Sequence, residues 1–358
     1  MIPNDIPQTL ITTIIPTYRR PELLGRAIRS VLSQTYPHFK VCVYDNASGD
    51  ETAEVVAEIA KHDPRVTYFC HKSNIGMISN FIYGMGRVET PFFSFLSDDD
   101  VLLPDFFHIA MDGFKSHPNA IFSAGATVHI TENGEVLGVP LHLWHREGFY
   151  SPPEGLFNML GGKHPEWTAI VFRKEIVEKI GLLDKDIGYP MDLDYELQAS
   201  AQFPFVVSKK PCALFVTMDT SFTHTFEDDQ FIKWGFRKMI NKLRKNIFLS
   251  EEMRIHASDK LIIWFRQIFF WNGVQLIKKN KFDKVKTISN ALYTGLNSRN
   301  KALLLDTLSW FRHYFPLGYY LIVILNKLRK LFHDGKEQII ATEELQNQYS
   351  YCSKFLHI

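Results

Sequence analysis

Three consecutive carboxylates, Asp98, Asp99 and Asp100, follow an apolar run at residues 92–96 that predicts a buried strand. Carboxylates this close raise one another's pKa in a desolvated cleft unless a cation neutralises them. Oxygen ligands of this kind suit Mg²⁺ or Mn²⁺, which bridge phosphate oxygens. The alternative is an acidic helix start, where aspartates cap free N–H groups. The preceding strand favours the metal site.

Asp45 closes a second apolar run, residues 40–44. A carboxylate there can accept a hydrogen bond from the imide N–H of uracil or thymine. The alternative is an Asx turn that leads into the next helix. Since Asp50 or Ser48 can cap that helix, we expect Asp45 to stay free for a ligand.

Further polar groups follow two other predicted strands. Thr17 and Tyr18 come after Pro16, which ends the first apolar run, and their backbone groups and aromatic face can hold a base. Arg19 and Arg20 either reach phosphate or are simply solvated, and the sequence favours neither interpretation. The segment at residues 72–76 adds amide groups and a glycine, a weak signal by itself.

The first hundred residues alternate between the periods of strands and helices in the order β-α-β-α-β-α-β, which predicts a parallel sheet wrapped by helices. Every polar group above falls at the carboxyl end of a strand, where open α/β sheets bind ligands. We therefore predict an α/β fold with a mostly parallel central sheet flanked by helices.

The composition changes at about residue 230, where Lys and Arg alternate with large apolar residues. We expect a catalytic domain over residues 1–229, a helical region over 230–333 and a polar, mobile tail over 334–358. The basic amphipathic pattern suits either helices lying on an anionic bilayer or a helical subdomain with solvated lysines, slightly favouring the latter.

The chain's 40 basic and 39 acidic residues give a net charge of +1, so no nucleic-acid partner is indicated. The four cysteines lack zinc-site spacing and suggest a reducing compartment. Neither a signal-peptide pattern nor a run of 18 apolar residues is present. We expect a soluble or peripheral protein in the cytoplasm, at the inner face of the plasma membrane if the helices touch lipid.

Four motifs occur in the order typical of family-2 glycosyltransferases: residues 14–20 (IIPTYRR), 44–48 (YDNAS), 74–76 (NIG) and 95–100 (FLSDDD). The chain resembles this family over roughly residues 9 to 220. The resemblance implies a GT-A fold, a metal-bound nucleoside diphosphate sugar (UDP favoured) and an acceptor-binding second half. It also implies a hexosyltransferase-type enzyme that assembles surface polysaccharides or glycoconjugates on a glycan or lipid-linked glycan hydroxyl.

The resemblance assigns roles to the strand-end residues. The base would lie among Pro16, Thr17, Tyr18 and Asp45, with Asn74 nearby. Asp99 matches the direct metal ligand for Mn²⁺ or Mg²⁺, Asp98 fits a ribose or diphosphate role, and Asp100 is a further ligand or a helix cap. Ser97 stands where the family's Asp-x-Asp motif usually has a carboxylate, which leaves this division of roles open.

The second half contributes three further candidates. Residues 191–194 (MDLD) resemble the family's Glu-Asp-x-Asp segment, with Asp192 as the general base of an inverting transfer and Asp194 as the helix cap. Trp167 would line the acceptor site, with an ordinary buried tryptophan as the alternative. His224 would complete the metal or phosphate site, although a lone histidine more often has no such role.

Two other functions are compatible with this layout. A nucleotidyltransferase shares it but favours a glycine-rich phosphate loop, whereas no glycine precedes Gly25 here. A catalytically impaired sugar- or nucleotide-binding scaffold of a membrane assembly would tolerate Ser97 and Met191.

Overall fold

The computed structural model describes residues 10–218, 229–315 and 337–358. Its strands are β1 (Ile11–Thr17), β2 (Phe39–Asp45), β3 (Val66–Cys70), β4 (Phe92–Phe95), β5 (Val101–Leu102), β6 (Phe122–Thr131), β7 (Val136–Gly138), β8 (Gly148–Tyr150), β9 (Ile170–Arg173) and β10 (Phe205–Thr217). Its helices are α1 (Pro21–Leu32), α2 (Thr52–His62), α3 (Met77–Met85), α4 (Phe106–Ser116), α5 (Glu154–Met159), α6 (Glu175–Ile180), α7 (Met191–Ser200), α8 (Phe236–Arg244), α9 (Glu251–Lys278), α10 (Phe282–Asn290), α11 (Arg299–Tyr314) and α12 (Glu337–Tyr349).

The ten strands form one mixed sheet, of which eight lie in the order β3-β2-β1-β4-β9-β6-β10-β5, while β7 pairs with β6 and β8 with β10. The first four strands are parallel, as the alternating pattern predicts. The α/β class with flanking helices is confirmed, but β9 runs antiparallel to both β4 and β6. Only the first half of the sheet is therefore uniformly parallel.

Helices on both faces of the sheet explain why the central strands β1 and β4 are buried throughout. Every residue of β1 is buried, as expected for a strand covered on both sides. Pro21 begins α1 at a position where its missing N–H costs nothing, and Leu24, Ile28 and Val31 of that helix face the core. This packing fixes the carboxyl end of β1 relative to its neighbours.

The helical region packs directly on the first part of the chain. Its longest helix, α9, is capped by Ser250, whose side chain accepts a hydrogen bond from the Met253 backbone N–H at 3.2 Å. Apolar side chains of α8 to α11 belong to the same buried cluster as those of β4, β6 and α7. No helix in the described ranges has the length and hydropathy to cross a membrane. The division at residues 229 and 333 stays a prediction.

The C-terminal segment differs from the mobile tail expected from its polar composition. The side chain of Gln346 accepts a hydrogen bond from the Val136 N–H at 2.6 Å, and the Tyr349 hydroxyl lies 2.8 Å from His142 Nε2. Cys352 and Leu356 are buried. The end of α12 and the turn after it therefore pack near β7, with their apolar side chains buried.

Candidate active site

The carboxyl ends of β1 and β4 bring the first two site residues together, because these strands are parallel neighbours. Thr17 Oγ1 donates a hydrogen bond to Asp98 Oδ2 at 2.7 Å. Asp98 is only 7% exposed. Burial and the neighbouring charge of Asp99 raise its pKa to about 6, against the opposing effects of Arg20 and Thr17.

Arg20 forms ion pairs with both carboxylates of this acidic pair. Its Nη1 lies 3.3 Å from Asp98 Oδ1 and 2.8 Å from Asp99 Oδ2. Arg26 of α1 donates to the Asp99 backbone carbonyl at 2.6 Å. The two arginines hold the loop after β4 against the start of α1, so Arg20 is an ion-paired residue of the site and not a solvated one.

Asp100 faces the interior. Its Oδ1 accepts from the Val216 N–H at 3.0 Å, and its Oδ2 accepts from Thr168 Oγ1 at 2.8 Å. Burial raises its pKa well above the usual range. Asp100 therefore braces β10 against the segment before β9, which differs from the helix-cap alternative. These contacts do not favour its assignment as a metal ligand, which stays a prediction.

Asp45 is engaged by protein groups, so the expectation that it stays free is wrong. Its Oδ1 accepts from the Ser48 backbone N–H at 3.0 Å and from Ser48 Oγ at 2.5 Å, and its Oδ2 accepts from the Tyr68 hydroxyl at 2.6 Å. The Asp45 carboxylate thus stabilises the turn after β2, although its bond reaches three residues on and not the two of the Asx turn that was its alternative. Asp50 binds the Thr52 N–H at the start of α2. A ligand would have to compete for Asp45, and its base-binding role remains a prediction.

The other predicted base-binding residues lie at the same edge of the sheet. β1 continues through Pro16 to Thr17 instead of ending at Pro16. Tyr18 is 39% exposed, with the Arg19 guanidinium 5.1 Å from its ring centre. Asn74 is exposed, and its Oδ1 accepts from Asn46 Nδ2 at 3.0 Å, which joins the loops after β2 and β3.

Asp192 lies in the first turn of α7 and is half-buried. Burial raises the pKa of its carboxyl to about 6, His164 lowers it and Glu166 raises it. A carboxyl with this pKa is ionised near neutral pH yet remains able to take up a proton. The predicted base therefore has the protonation behaviour that such a role requires.

Sequence reasoning did not identify a group of ionisable residues near Asp192, of which Glu196 is buried and the others are partly buried. His164 Nδ1 lies 3.3 Å from Glu196 Oε2, and His129 Nε2 lies 3.3 Å from Glu166 Oε1. Glu196 raises the pKa of His164 against the effect of burial. One signal was available, because Asp192 and Glu196 are four residues apart and share a helix face.

Asp194 has a structural role, although not as the expected helix cap. It is 3% exposed, and its Oδ2 accepts a hydrogen bond from Lys242 Nζ of α8 at 2.5 Å. Pro190 precedes α7, and no side chain caps that helix. Asp194 instead connects α7 to the helical region.

Trp167 lies in the core, which is the alternative to its acceptor-site assignment. It is 9% exposed, and its ring centre is 4.7 Å from those of both Phe81 and Phe95. The short helical turn at Trp167–Ala169 directs the ring beneath β4. His224 lies outside the described residues. Within those residues no three His, Cys, Asp or Glu side chains are grouped as metal ligands.

Comparison with known proteins agrees with this geometry. Residues 12–181 match the family model described as glycosyl transferase family 2. An uncharacterized glycosyltransferase of Rickettsia conorii is 35% identical over 129 residues, which are 36% of this chain and 21% of the relative. The segment at residues 12–181, just under half of the chain, therefore belongs to glycosyltransferase family 2, and the chain has the GT-A fold.

Two further similarities bear on the class. The GalNAc(5)-diNAcBac-PP-undecaprenol beta-1,3-glucosyltransferase of Campylobacter jejuni is 35% identical over 94 residues, 26% of this chain and 30% of that protein. The crystal structure of S. aureus TarS 1-349 in complex with UDP-GlcNAc superimposes with a TM-score of 0.64 at 15% identity, covering 91% of this chain and 92% of the other. The chain spans 21% of the length of the Rickettsia relative and 30% of the length of the Campylobacter relative.

Proposed function

We propose that this chain transfers a sugar, with inversion, from a nucleoside diphosphate donor to a hydroxyl of a glycan or lipid-linked glycan. The observation that carries the proposal is the position of the Asp98–Asp99 pair beside Thr17, at the carboxyl edge of parallel strands. A nucleotide binds at that edge in open α/β sheets. The family-2 membership supports transfer of a glycosyl group.

The proposed donor is a UDP-sugar. The TarS structure, which shares the fold, was solved with UDP-GlcNAc. Tyr18, Asp45 and Asn74 would contact the uridine, with Pro16 and Thr17 forming the floor of the base site. Asp98, already hydrogen-bonded to Thr17, would lie near the ribose or the first phosphate.

The carboxylates fit a divalent cation such as Mn²⁺ or Mg²⁺. Asp99 is the more accessible of the pair, with 17% of its side chain exposed against 9% for Asp98. Asp98 and Asp99 offer hard carboxylate oxygens, the ligands that these ions prefer. A bound cation would supply charge neutralisation for the departing diphosphate. Asp99 would be its principal ligand, with Asp100 and His224 as weaker candidates.

Asp192 would act as the general base. It would take the proton of the acceptor hydroxyl while the oxygen attacks the anomeric carbon from the face opposite the diphosphate. The new glycosidic bond forms as the bond to the phosphate oxygen breaks, and the diphosphate leaves with the electron pair. The charges of His164 and Glu166 would set the pKa of the Asp192 carboxyl, which His164 lowers and Glu166 raises.

We also propose that the helical region contacts an anionic membrane surface. Leu303, Trp310 and Tyr314 lie on one face of α11 with exposed fractions of 69%, 56% and 63%. Arg299 lies one turn before this face, and a basic, aromatic helix surface suits the bilayer interface. The name of the Campylobacter relative specifies an undecaprenol-linked substrate, which supports a lipid-linked acceptor.

A donor screen tests the proposed activity. Purified protein is incubated with UDP-, GDP- or dTDP-sugars and Mn²⁺, and released nucleotide is measured. Saturable release of UDP supports the proposal. Tight UDP binding without turnover of any donor would instead favour the binding scaffold that Ser97 and Met191 allow.

Vesicle sedimentation tests the membrane contact. Vesicles with anionic headgroups should sediment the wild-type protein, whereas vesicles of neutral phosphatidylcholine should not. Replacing both Leu303 and Trp310 by serine should release it. Leu143→Ser is the matched control, because Leu143 is 66% exposed but lies far from α11 in the chain. Equal sedimentation of the double variant would contradict the membrane proposal.

A further inference from the structure

A single nitrogen of Arg20 serves both carboxylates of the acidic pair. Nη1 contacts Asp98 at 3.3 Å and Asp99 at 2.8 Å, while 34% of the Arg20 side chain is exposed. A guanidinium has five N–H donors. Among the described residues, Nε and Nη2 of Arg20 make no hydrogen bond. Much of its capacity to bind an anion is therefore unused.

The loops at the strand ends hold Arg20 in this place. Arg19 has a φ of 55°, in the left-handed region that non-glycine residues rarely adopt. The Arg19 N–H donates to Ser48 Oγ at 2.8 Å, and Arg19 Nε donates to the Ser48 carbonyl at 3.1 Å. Ser48 is bound in turn by Asp45 at 2.5 Å. This chain of contacts turns the backbone so that Arg20, the residue before α1, lies beside Asp99.

The guanidinium and a divalent cation would compete for the same oxygens. Arg20 places one positive charge against two carboxylates, so a metal that binds Asp99 must displace it or meet its repulsion. A diphosphate changes this balance, because its oxygens accept paired hydrogen bonds from a guanidinium. Arg20 could then leave the carboxylates without losing its ionic partner.

We propose that Arg20 is the resident counter-ion of the Asp98–Asp99 pair, and that it moves to the diphosphate when the metal and the nucleotide bind together. The inference rests on the proposed function. It requires positive coupling: the metal alone binds weakly, and each ligand raises the affinity for the other. Arg20 thereby discourages occupation of the site by metal without a nucleotide.

Calorimetric titration with Mn²⁺, in the absence and presence of UDP, tests the inference. Arg20→Gln should bind Mn²⁺ alone about tenfold more tightly than wild type, since one repulsive charge is removed. The same variant should bind UDP–Mn²⁺ more weakly, so the coupling shrinks. Arg20→Lys keeps the charge and should bind Mn²⁺ alone much as wild type does.

Arg29→Gln is the matched control. Arg29 lies in α1, the helix that follows Arg20, but its Nη1 contacts the main-chain oxygen of Ile358 at 3.3 Å, away from the acidic pair. This variant should show wild-type binding of both ligands. If Arg20→Gln does not fold, as judged by circular dichroism, Arg20→Met carries the same comparison.

Two results would overturn the inference, and they are distinguishable. Wild-type Mn²⁺ affinity in a folded neutral Arg20 variant would refute the counter-ion role while leaving the proposed function intact. Failure of the wild-type protein to bind Mn²⁺ both with and without UDP would refute the inference together with the metal-dependent function.

Discussion

Lys242 Nζ donates a hydrogen bond to Asp194 Oδ2 at 2.5 Å, so α8 of the helical region is tied to the helix that carries Asp192. Lys242 also lies 2.8 Å from Asp184 Oδ2. Asp194 is almost fully buried, and the contact therefore links two parts of the chain through their shared core. The helix that carries the proposed base is therefore stabilised in part by residues outside the family-matched segment.

Lys242→Met should destabilise the protein. The change leaves Asp194 buried without its cation, and breaking a buried pair on one side lowers the free energy of unfolding by about 3 kcal/mol. Urea unfolding measures the loss. Lys238→Met, one turn earlier in α8, should cost less than about 1 kcal/mol because its ion pairs are more exposed. Equal losses in the two variants would contradict the special role of the buried pair.

Asp192→Asn should abolish most of the transfer. Loss of a general base lowers the rate roughly 100- to 10,000-fold. Binding of the UDP-sugar and the unfolding midpoint should change little, because the substitution is close to isosteric and removes a buried charge. Asp194→Asn should show the reverse pattern, with lower stability and nearly full activity in the folded protein. Near-normal transfer by Asp192→Asn would show that the base lies elsewhere.

The pH dependence of transfer should report Asp192. Its pKa is about 6 in the fold, raised mainly by burial, so kcat/KM should fall as the pH drops below about 6 and the base becomes protonated. Glu166→Gln removes a negative neighbour and should move this acidic limb to lower pH. His164→Asn removes a positive neighbour and should move it to higher pH. If the acidic limb of the pH profile is unchanged in both variants, that limb does not report the protonation of Asp192.

Thr17→Val should weaken donor binding. The substitution keeps the shape but removes the hydroxyl that donates to Asp98 at 2.7 Å, leaving a buried carboxylate oxygen with one partner fewer. We expect about a tenfold loss in affinity for the UDP-sugar–Mn²⁺ complex. Thr17→Ser retains the hydroxyl and should bind nearly as wild type. Indistinguishable titrations of the Val and Ser variants would refute this role.

The strand-end positions could be predicted from sequence because they depend on local pattern. Alternating strand and helix periods placed Thr17 and Asp98 at the same edge of a parallel sheet, and their side chains are in contact. The family motifs then supplied roles that spacing alone does not define. The exposed ring of Tyr18 fits the same prediction.

Other features depend on contacts between distant segments. Arg20 reaches the acidic pair only because Ser48, 29 residues from Arg19, stabilises a left-handed backbone. His164 approaches α7 from a long aromatic loop that has no periodic pattern. From sequence, an acceptor-site and a buried position of Trp167 have nearly equal weight, and the turn before β9 is what directs its ring into the core.

The C-terminal segment shows that a polar composition does not by itself predict whether a segment packs against the fold. Its polar residues indicated a mobile tail, whereas Tyr349, Cys352 and Leu356 recur at helical spacing and are buried against the fold. Three apolar positions in a polar background are a weak signal, and the partner surface near β7 could not be inferred from sequence.

Nucleotide release from a UDP-sugar in the presence of Mn²⁺, compared between wild type and Asp99→Asn, tests the central claim most directly. Wild type should release UDP in a saturable, metal-dependent reaction, and Asp99→Asn should lose at least about 100-fold of it. Asp112→Asn, an exposed aspartate on α4, controls for the loss of one carboxylate. Wild-type turnover and Mn²⁺ dependence in Asp99→Asn would contradict the assignment of the acidic pair as the donor–metal site.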